Sequence, residues 1–157
     1  MPKKALIVTG PINSGKTTRL MEWCKNRNDV YGILTPKING KRIFVDVATG
    51  EQFEMEALEH EENVLCIGKY IFSVSGFDHA KEILKNASVK KNAFLIIDEV
   101  GPLELKGEGF NAELKELLVS MEDSLRVIIV VRESLVEQVI TYFKIAETYE
   151  MFSFMSE

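Results

Sequence analysis

Gly10-Pro11-Ile12-Asn13-Ser14-Gly15-Lys16-Thr17 fits the pattern G-x-x-x-x-G-K-S/T at every defined position. Residues 5–9, just before it, form a short continuous apolar run, the pattern of a strand buried on both faces. After it, Leu20, Trp23 and Cys24 fall on one helical face. A phosphate-binding loop needs this context. Its backbone N–H groups turn inward around phosphate oxygens, and a helix opening near Gly15 aims its unsatisfied donors and positive dipole end at the same point. Gly15 lets the backbone approach closely with no Cβ in the way. In such a loop Lys16 supplies a point charge to the β- and γ-phosphates, and the Thr17 hydroxyl is a Mg²⁺ ligand. The competing reading is an accidental glycine turn before a helix; the flanking strand and helix favour the phosphate loop.

Outward from this loop the same rhythm recurs. Residues 93–97 and 127–131 are again continuous, short and rich in branched side chains. Phe110, Leu114, Leu117, Leu118 and Met121 follow the first of these at helical spacing, and Leu135, Val136, Val139, Ile140 and Phe143 follow the second. Strand then helix, three times over, predicts an α/β domain with a parallel sheet. The middle of the chain breaks the rhythm. Asn39-Gly40 is a two-residue hairpin turn, beyond which Ile43, Val45 and Val47 alternate with Arg42, Phe44 and Asp46. Thr49-Gly50 marks a second turn, and Phe53, Met55 and Ala57 alternate with Gln52, Glu54 and Glu56. An extended stretch is expected over residues 66–74, then a helix burying Phe77, Ala80, Ile83, Leu84 and Ala87. Residues from about 30 to 74 therefore read as an antiparallel insertion attached to the sheet. It is too short for a second domain, and residues 1–157 are expected to form one.

Charge and cysteine usage narrow the function classes. Nineteen basic against twenty-four acidic residues leave a net charge of −5, which argues against generic nucleic-acid binding through a basic surface. The apolar runs are far shorter than the roughly 18 residues of a membrane span. Behind Lys3 and Lys4 the apolar stretch from Ala5 to Val8 is too short for a secretory signal. Cys24 and Cys66 are isolated, without metal-ligand spacing, as in a reducing compartment, so a cytoplasmic location with no membrane partner is expected.

Phe94-Leu95-Ile96-Ile97-Asp98-Glu99 delivers two acids to the end of a buried strand. In open α/β sheets ligands bind beyond the carboxyl ends of the strands, where the phosphates would lie. Asp98 is suited to hold Mg²⁺, through a water, since this ion keeps much of its hydration shell. Glu99 would stand beside the γ-phosphate and orient or deprotonate an attacking water. The plainer alternative is a strand leaving the core into an acidic loop.

Taken with Gly10 through Thr18, the segment Asp98-Glu99-Val100-Gly101-Pro102-Leu103-Glu104-Leu105 resembles the small THEP-type nucleoside-triphosphatase family, which pairs a phosphate loop with D-E-I/V-G-x-M/L-E-L. Gly32-Ile33-Leu34-Thr35-Pro36 and Ile67-Gly68-Lys69-Tyr70 are also similar, so the resemblance spans most of the chain. It implies a P-loop NTPase fold, three-layer α/β/α, with a mainly parallel sheet extended by an antiparallel β insertion. It also implies Mg²⁺-dependent hydrolysis of ATP, GTP and other nucleoside triphosphates to diphosphates. The nucleotide-binding set is then Gly10, Pro11, Ile12, Asn13, Ser14, Gly15, Lys16, Thr17 and Thr18. Two regions depart from the family pattern. Arg42-Ile43-Phe44-Val45 stands where members often have a Gly-Phe pair after an arginine, and Val130-Val131-Arg132-Glu133 replaces a segment with threonine and histidine.

Several further residues carry paired readings. Arg132 follows the third buried strand, so it either stabilises charge on the transferring phosphoryl group or pairs locally with Glu133. Arg19 and Arg42 read as surface charges. Glu104 either orients a loop or touches the site through water, or is a solvated loop acid. His60 and His79 lack a partner at metal spacing. Tyr149, Phe152 and Phe154 read as core or sheet-edge packing rather than base-stacking residues. The leading function is a triphosphatase in which Lys16, Glu99 and Arg132 are catalytic and Thr17 and Asp98 hold Mg²⁺. No N-K-x-D tetrapeptide is present to read guanine, so base discrimination should be loose. Two alternatives stay open. One is a small-molecule or nucleotide kinase with Glu99 activating an acceptor hydroxyl, against which there is no arginine-rich lid segment. The other is a non-catalytic nucleotide-binding module, which has no use for a carboxylate at position 99.

Overall fold

Neighbouring side chains of the first strand point to opposite faces of a sheet, and helices cover both faces. The structure, a computed structural model, describes residues 3–11, 15–120 and 122–154. In chain order β1 (Ala5–Gly10) leads to α1 (Lys16–Cys24), β2 (Val30–Leu34), β3 (Lys37–Ile38), β4 (Lys41–Asp46) and β5 (Gln52–Glu54). A hairpin of β6 (Val64–Ile67) and β7 (Tyr70–Ser73) precedes α2 (Val74–Ala87) and β8 (Ala93–Asp98). Then come α3 (Pro102–Leu105), α4 (Asn111–Leu118), β9 (Leu125–Arg132), a 3₁₀ turn at Glu133–Leu135, α5 (Val136–Tyr142) and β10 (Tyr149–Met151).

The main sheet runs β10-β1-β9-β8-β2-β4-β3, with β5 joined to β4. Its strands from β10 to β2 pair in parallel, and β4 makes antiparallel pairs with β2, β3 and β5. On one face Leu6, Val8, Ile96, Ile128 and Val130 meet Leu20 of α1, with Trp23, Cys24, Phe152 and Phe154 packed beside them. On the other, Ala5, Ile7, Leu95, Ile97, Val127, Ile129 and Val131 meet α2, α4 and α5 through Phe77, Leu84, Leu114, Leu117 and Val139. Burial on both faces is why these strands are uninterrupted apolar runs rather than alternating ones. The layers are thus α/β/α. Among the described residues no helix is long and apolar enough to cross a membrane.

Three expectations need correction or limits. The antiparallel insertion does not begin at residue 30, because β2 pairs in parallel with β8, Val30 opposite Phe94 and Ile33 opposite Ile97. Tyr31 and Gly32 interrupt its apolar run. Gly32, at φ 112°, presses so close to β8 that a Cβ would lie 2.2 Å from the Ile96 carbonyl oxygen. The extended stretch over residues 66–74 is a hairpin that turns at Gly68, where φ is 57°, and Val74 already begins α2. Met121, expected on the buried face after Phe110, lies outside the described residues. The hairpin at Asn39-Gly40 forms as expected, both residues at positive φ. The alternation along β4 does not divide into a buried and a solvent face as expected: Phe44 is fully buried against Phe77 and Phe110, while Val45, and Val47 just beyond the strand, are half-buried towards the α1 side.

Candidate active site

Parallel register places the chemistry. It sets Gly10 of β1 beside Arg132 of β9, and Asp98 of β8 beside Val130 of β9, so three strand ends with polar residues share one edge. Gly15 caps α1 in the left-handed region, at φ 84°, with no atom of the described residues within 4 Å of the space a Cβ would take. Lys16 opens the helix and folds its Nζ onto the loop, donating to the carbonyls of Pro11 at 3.1 Å and Gly10 at 3.4 Å. The Thr17 hydroxyl donates to Asp98 Oδ2 at 2.7 Å, and the Thr35 N–H donates to the same oxygen at 3.1 Å.

Asp98 is buried, and burial pushes its carboxyl above the usual range, opposed by these two hydrogen bonds and by the Arg42 charge. Glu99 is also raised, first by burial and then by the Asp98 charge, while Arg132, Arg42 and Lys16 favour its ionised form. A cleft of about 280 Å³ runs past Gly15, Lys16, Thr17, Thr18, Thr35, Lys37, Arg42, Asp98 and Glu99. Ile12, Asn13 and Ser14 of the expected phosphate loop lie outside the described residues.

A family model described as NTPase matches residues 5–157. The chain belongs to the NTPase family. It is 32% identical over 124 residues to nucleoside-triphosphatase THEP1 of Methanothermobacter thermautotrophicus, an alignment covering 73% of this chain and 70% of that protein. It is 34% identical over 117 residues to nucleoside-triphosphatase THEP1 of Methanopyrus kandleri, covering 67% of this chain and 62% of the relative. Among solved structures it is similar to the crystal structure of THEP1 from the hyperthermophile Aquifex aeolicus, with a TM-score of 0.71 and 19% identity over 97% of this chain and 90% of that one. It is also similar to the solution structure of a human cancer-related nucleoside triphosphatase, with a TM-score of 0.68 and 20% identity over 96% and 88%. These structural likenesses are likenesses of fold: a P-loop NTPase α/β fold carrying an antiparallel hairpin.

Within this NTPase-family chain, the structure brings Lys16, Thr17, Asp98 and Glu99 together and adds Arg132. One terminal nitrogen of Arg132 stands 4.0 Å from Glu99 Oε1, so its neighbour is Glu99, with no ion pair to Glu133 among the described residues. Its Nε is buried with no hydrogen-bond partner among the described residues. Arg42 is a residue that sequence reasoning missed. Read as a surface charge, it is instead half-buried, donates from Nη1 to the Thr35 carbonyl at 2.9 Å, and lines the cleft. The Asn39-Gly40 turn carried the clue, because a two-residue hairpin sets Arg42 opposite Lys37 and folds it back over Thr35. Arg19 is exposed as expected, its guanidinium over the Phe154 ring.

Glu104 is no solvated loop acid. Only 3% exposed, it accepts hydrogen bonds from the Gly101 N–H at 2.8 Å and the Phe110 N–H at 3.0 Å. It thereby braces the turn that follows Glu99, and burial pushes its carboxyl up to about 7. Tyr149, Phe152 and Phe154 pack against the two core layers. His60 and His79 are exposed, and no cluster of three histidine, cysteine or acidic residues poised for a metal occurs among the described residues.

Proposed function

We propose that this chain is a Mg²⁺-dependent nucleoside triphosphatase that converts triphosphates to diphosphate and phosphate with loose base specificity. One observation carries the reading: the Thr17 hydroxyl and the Asp98 carboxylate meet at 2.7 Å on the phosphate loop's edge of the sheet, with Glu99 next in the chain. The donor set fits magnesium. Both groups are hard oxygen donors, and Asp98 is a buried carboxylate whose charge is opposed by burial and offset by two hydrogen bonds, so a divalent cation supplies compensation that the fold lacks. When bound, the ion neutralises charge on the phosphate oxygens.

The side chains divide the remaining work. The loop from Gly10 through Thr18 cradles the phosphates, and Lys16 exchanges its two loop carbonyls for phosphate oxygens. Glu99 accepts a proton from water as the water oxygen bonds to the γ-phosphorus, and the bond from that phosphorus to the bridging oxygen breaks. Arg132 steadies the carboxylate, and its inner N–H, without a partner among the described residues, stabilises negative charge on the transferring group. Loose base choice is supported by the lack of a guanine-reading N-K-x-D tetrapeptide. A cytoplasmic setting is supported by two free thiols, of which Cys24 is pushed up to about 11 by burial and so kept unreactive.

Phosphate release measured with Mg²⁺ and each common triphosphate tests the reading. Turnover is expected with several bases, lost on chelation, and cut about a hundredfold or more in Glu99→Gln with nucleotide binding retained. A Glu99→Gln variant as fast as the parent removes Glu99 from this role. No phosphate from any triphosphate, together with a melting temperature raised by one of them, would instead mark a binding module.

A further inference from the structure

A second cavity adjoins the cleft at Glu99. It measures about 350 Å³ and shares Thr35, Lys37, Arg42 and Glu99 with the cleft, while residues 15–18 of the phosphate loop line only the latter. The two volumes therefore share a wall that includes Glu99, and the second takes none of its lining from residues 15–18. The floor of this second cavity is apolar, formed by Phe72, Phe77 and Phe110, each less than a tenth exposed. Its rim is basic, with Lys37 and Lys69 both exposed.

Water needs no such volume and gains nothing from an aromatic floor. A cavity of this size falls in the range of small-molecule sites, which are apolar with a few convergent polar groups. Three acids line it, but two are engaged. Both oxygens of Glu104 accept backbone N–H groups, and Glu56 Oε2 accepts the Arg42 N–H at 2.9 Å. Glu99 is the acid there with no hydrogen bond among the described residues; Arg132, 4.0 Å from its Oε1, is its ion-pair partner.

We propose that this cavity holds a phosphoryl acceptor, a small hydroxyl-bearing molecule with an aromatic body and an anionic group, set by Glu99 to take the γ-phosphoryl in place of water. The aromatic body lies on the phenylalanine floor, the anion meets Lys37 and Lys69, and the hydroxyl faces Glu99. The acceptor oxygen bonds to the γ-phosphorus as the bond to the bridging oxygen breaks. The diphosphate leaves with that electron pair, and the hydroxyl proton passes to Glu99. The products are a phosphomonoester and a nucleoside diphosphate, and hydrolysis is what remains when the cavity holds only water. This deepens the hydrolytic reading above and rests on its role for Glu99.

The test uses the full chain with Mg²⁺, γ-labelled ATP and para-hydroxymethylbenzoate, which carries ring, hydroxyl and carboxylate together. Benzyl alcohol and ethanol at equal concentration serve as controls. The expected result is a labelled phosphomonoester of the probe, formed at the expense of inorganic phosphate and at least about tenfold above the ethanol ester. Lys69→Glu, at an exposed rim position, should cut the ester of the charged probe several-fold more than it cuts that of benzyl alcohol. Label appearing in inorganic phosphate while the probe's ester stays at the ethanol level overturns the acceptor site. Label released to neither water nor probe overturns the hydrolytic reading beneath it, so the two failures are distinct.

Discussion

Thr17 and Asp98, 81 residues apart in the chain, are joined by a 2.7 Å hydrogen bond from the threonine hydroxyl to the carboxylate. The bond ties the first turn of the loop's helix to the end of a different strand, and it holds together the two groups proposed above as magnesium ligands. Thr17→Val keeps the shape and removes the oxygen. Asp98 then retains only the Thr35 N–H, at an expected cost of about 1–3 kcal/mol in stability. The half-saturating Mg²⁺ concentration for phosphate release should also rise. Urea unfolding and a magnesium titration measure the two effects, and a variant unchanged in both would mean the pair does not hold the ion.

Arg132 stands 4.0 Å from Glu99 and carries a buried N–H with no hydrogen-bond partner among the described residues. Such a donor is of most use to charge that grows during phosphoryl transfer. Arg132→Ala should therefore lower kcat by about a hundredfold or more while KM for the triphosphate changes little. A rise in KM with kcat intact would show that the side chain binds the ground state instead.

Glu104 makes stability depend on pH in a defined window. Its folded-state carboxyl, at about 7, lies above its ordinary value of 4.5, so the fold favours the protonated form. Below the ordinary value both states hold the proton and the contribution is complete. As pH rises towards 7 the unfolded chain releases its proton first, and stability falls by up to about 3 kcal/mol before levelling off. Glu104→Gln does not titrate. Urea unfolding at intervals from pH 5 to 8 should show the parent losing stability relative to the variant, and parallel curves would remove Glu104 from this role.

Gly32 should tolerate no side chain. Alanine there would put Cβ 2.2 Å from the Ile96 carbonyl oxygen, on a backbone at φ 112°. Overpacking and strain together predict a loss of about 2–5 kcal/mol, read by chemical unfolding. A Gly32→Ala protein as stable as the parent would contradict the pairing of β2 with β8.

Much of this arrangement was legible before any coordinates. Residues 93–97 and 127–131 read correctly as strands because a sheet covered on both faces leaves no polar position to confuse the pattern. β2 did not, since Tyr31 and Gly32 break its run and only the close approach to Ile96 explains the glycine. That Lys16, Thr17, Asp98 and Glu99 would come together was legible, because both motifs sit at the carboxyl ends of buried strands in one sheet. Arg42 and Glu104 were not, as a lone charge in a sequence looks alike whether it faces water or is folded beneath a turn.

The order of residues alone marked the glycine-rich loop between strand and helix, the acid-ended strand and the alternation of strand and helix, since each is written in local spacing and short-range periodicity. The folded arrangement alone settled which of those pieces touch. Parallel hydrogen-bond register brings positions 10, 98 and 132 to one edge, and the packing of distant segments sets how deeply each charge is buried. Burial and charge proximity are properties of neighbours, and neighbours remote along the chain are chosen by the whole fold.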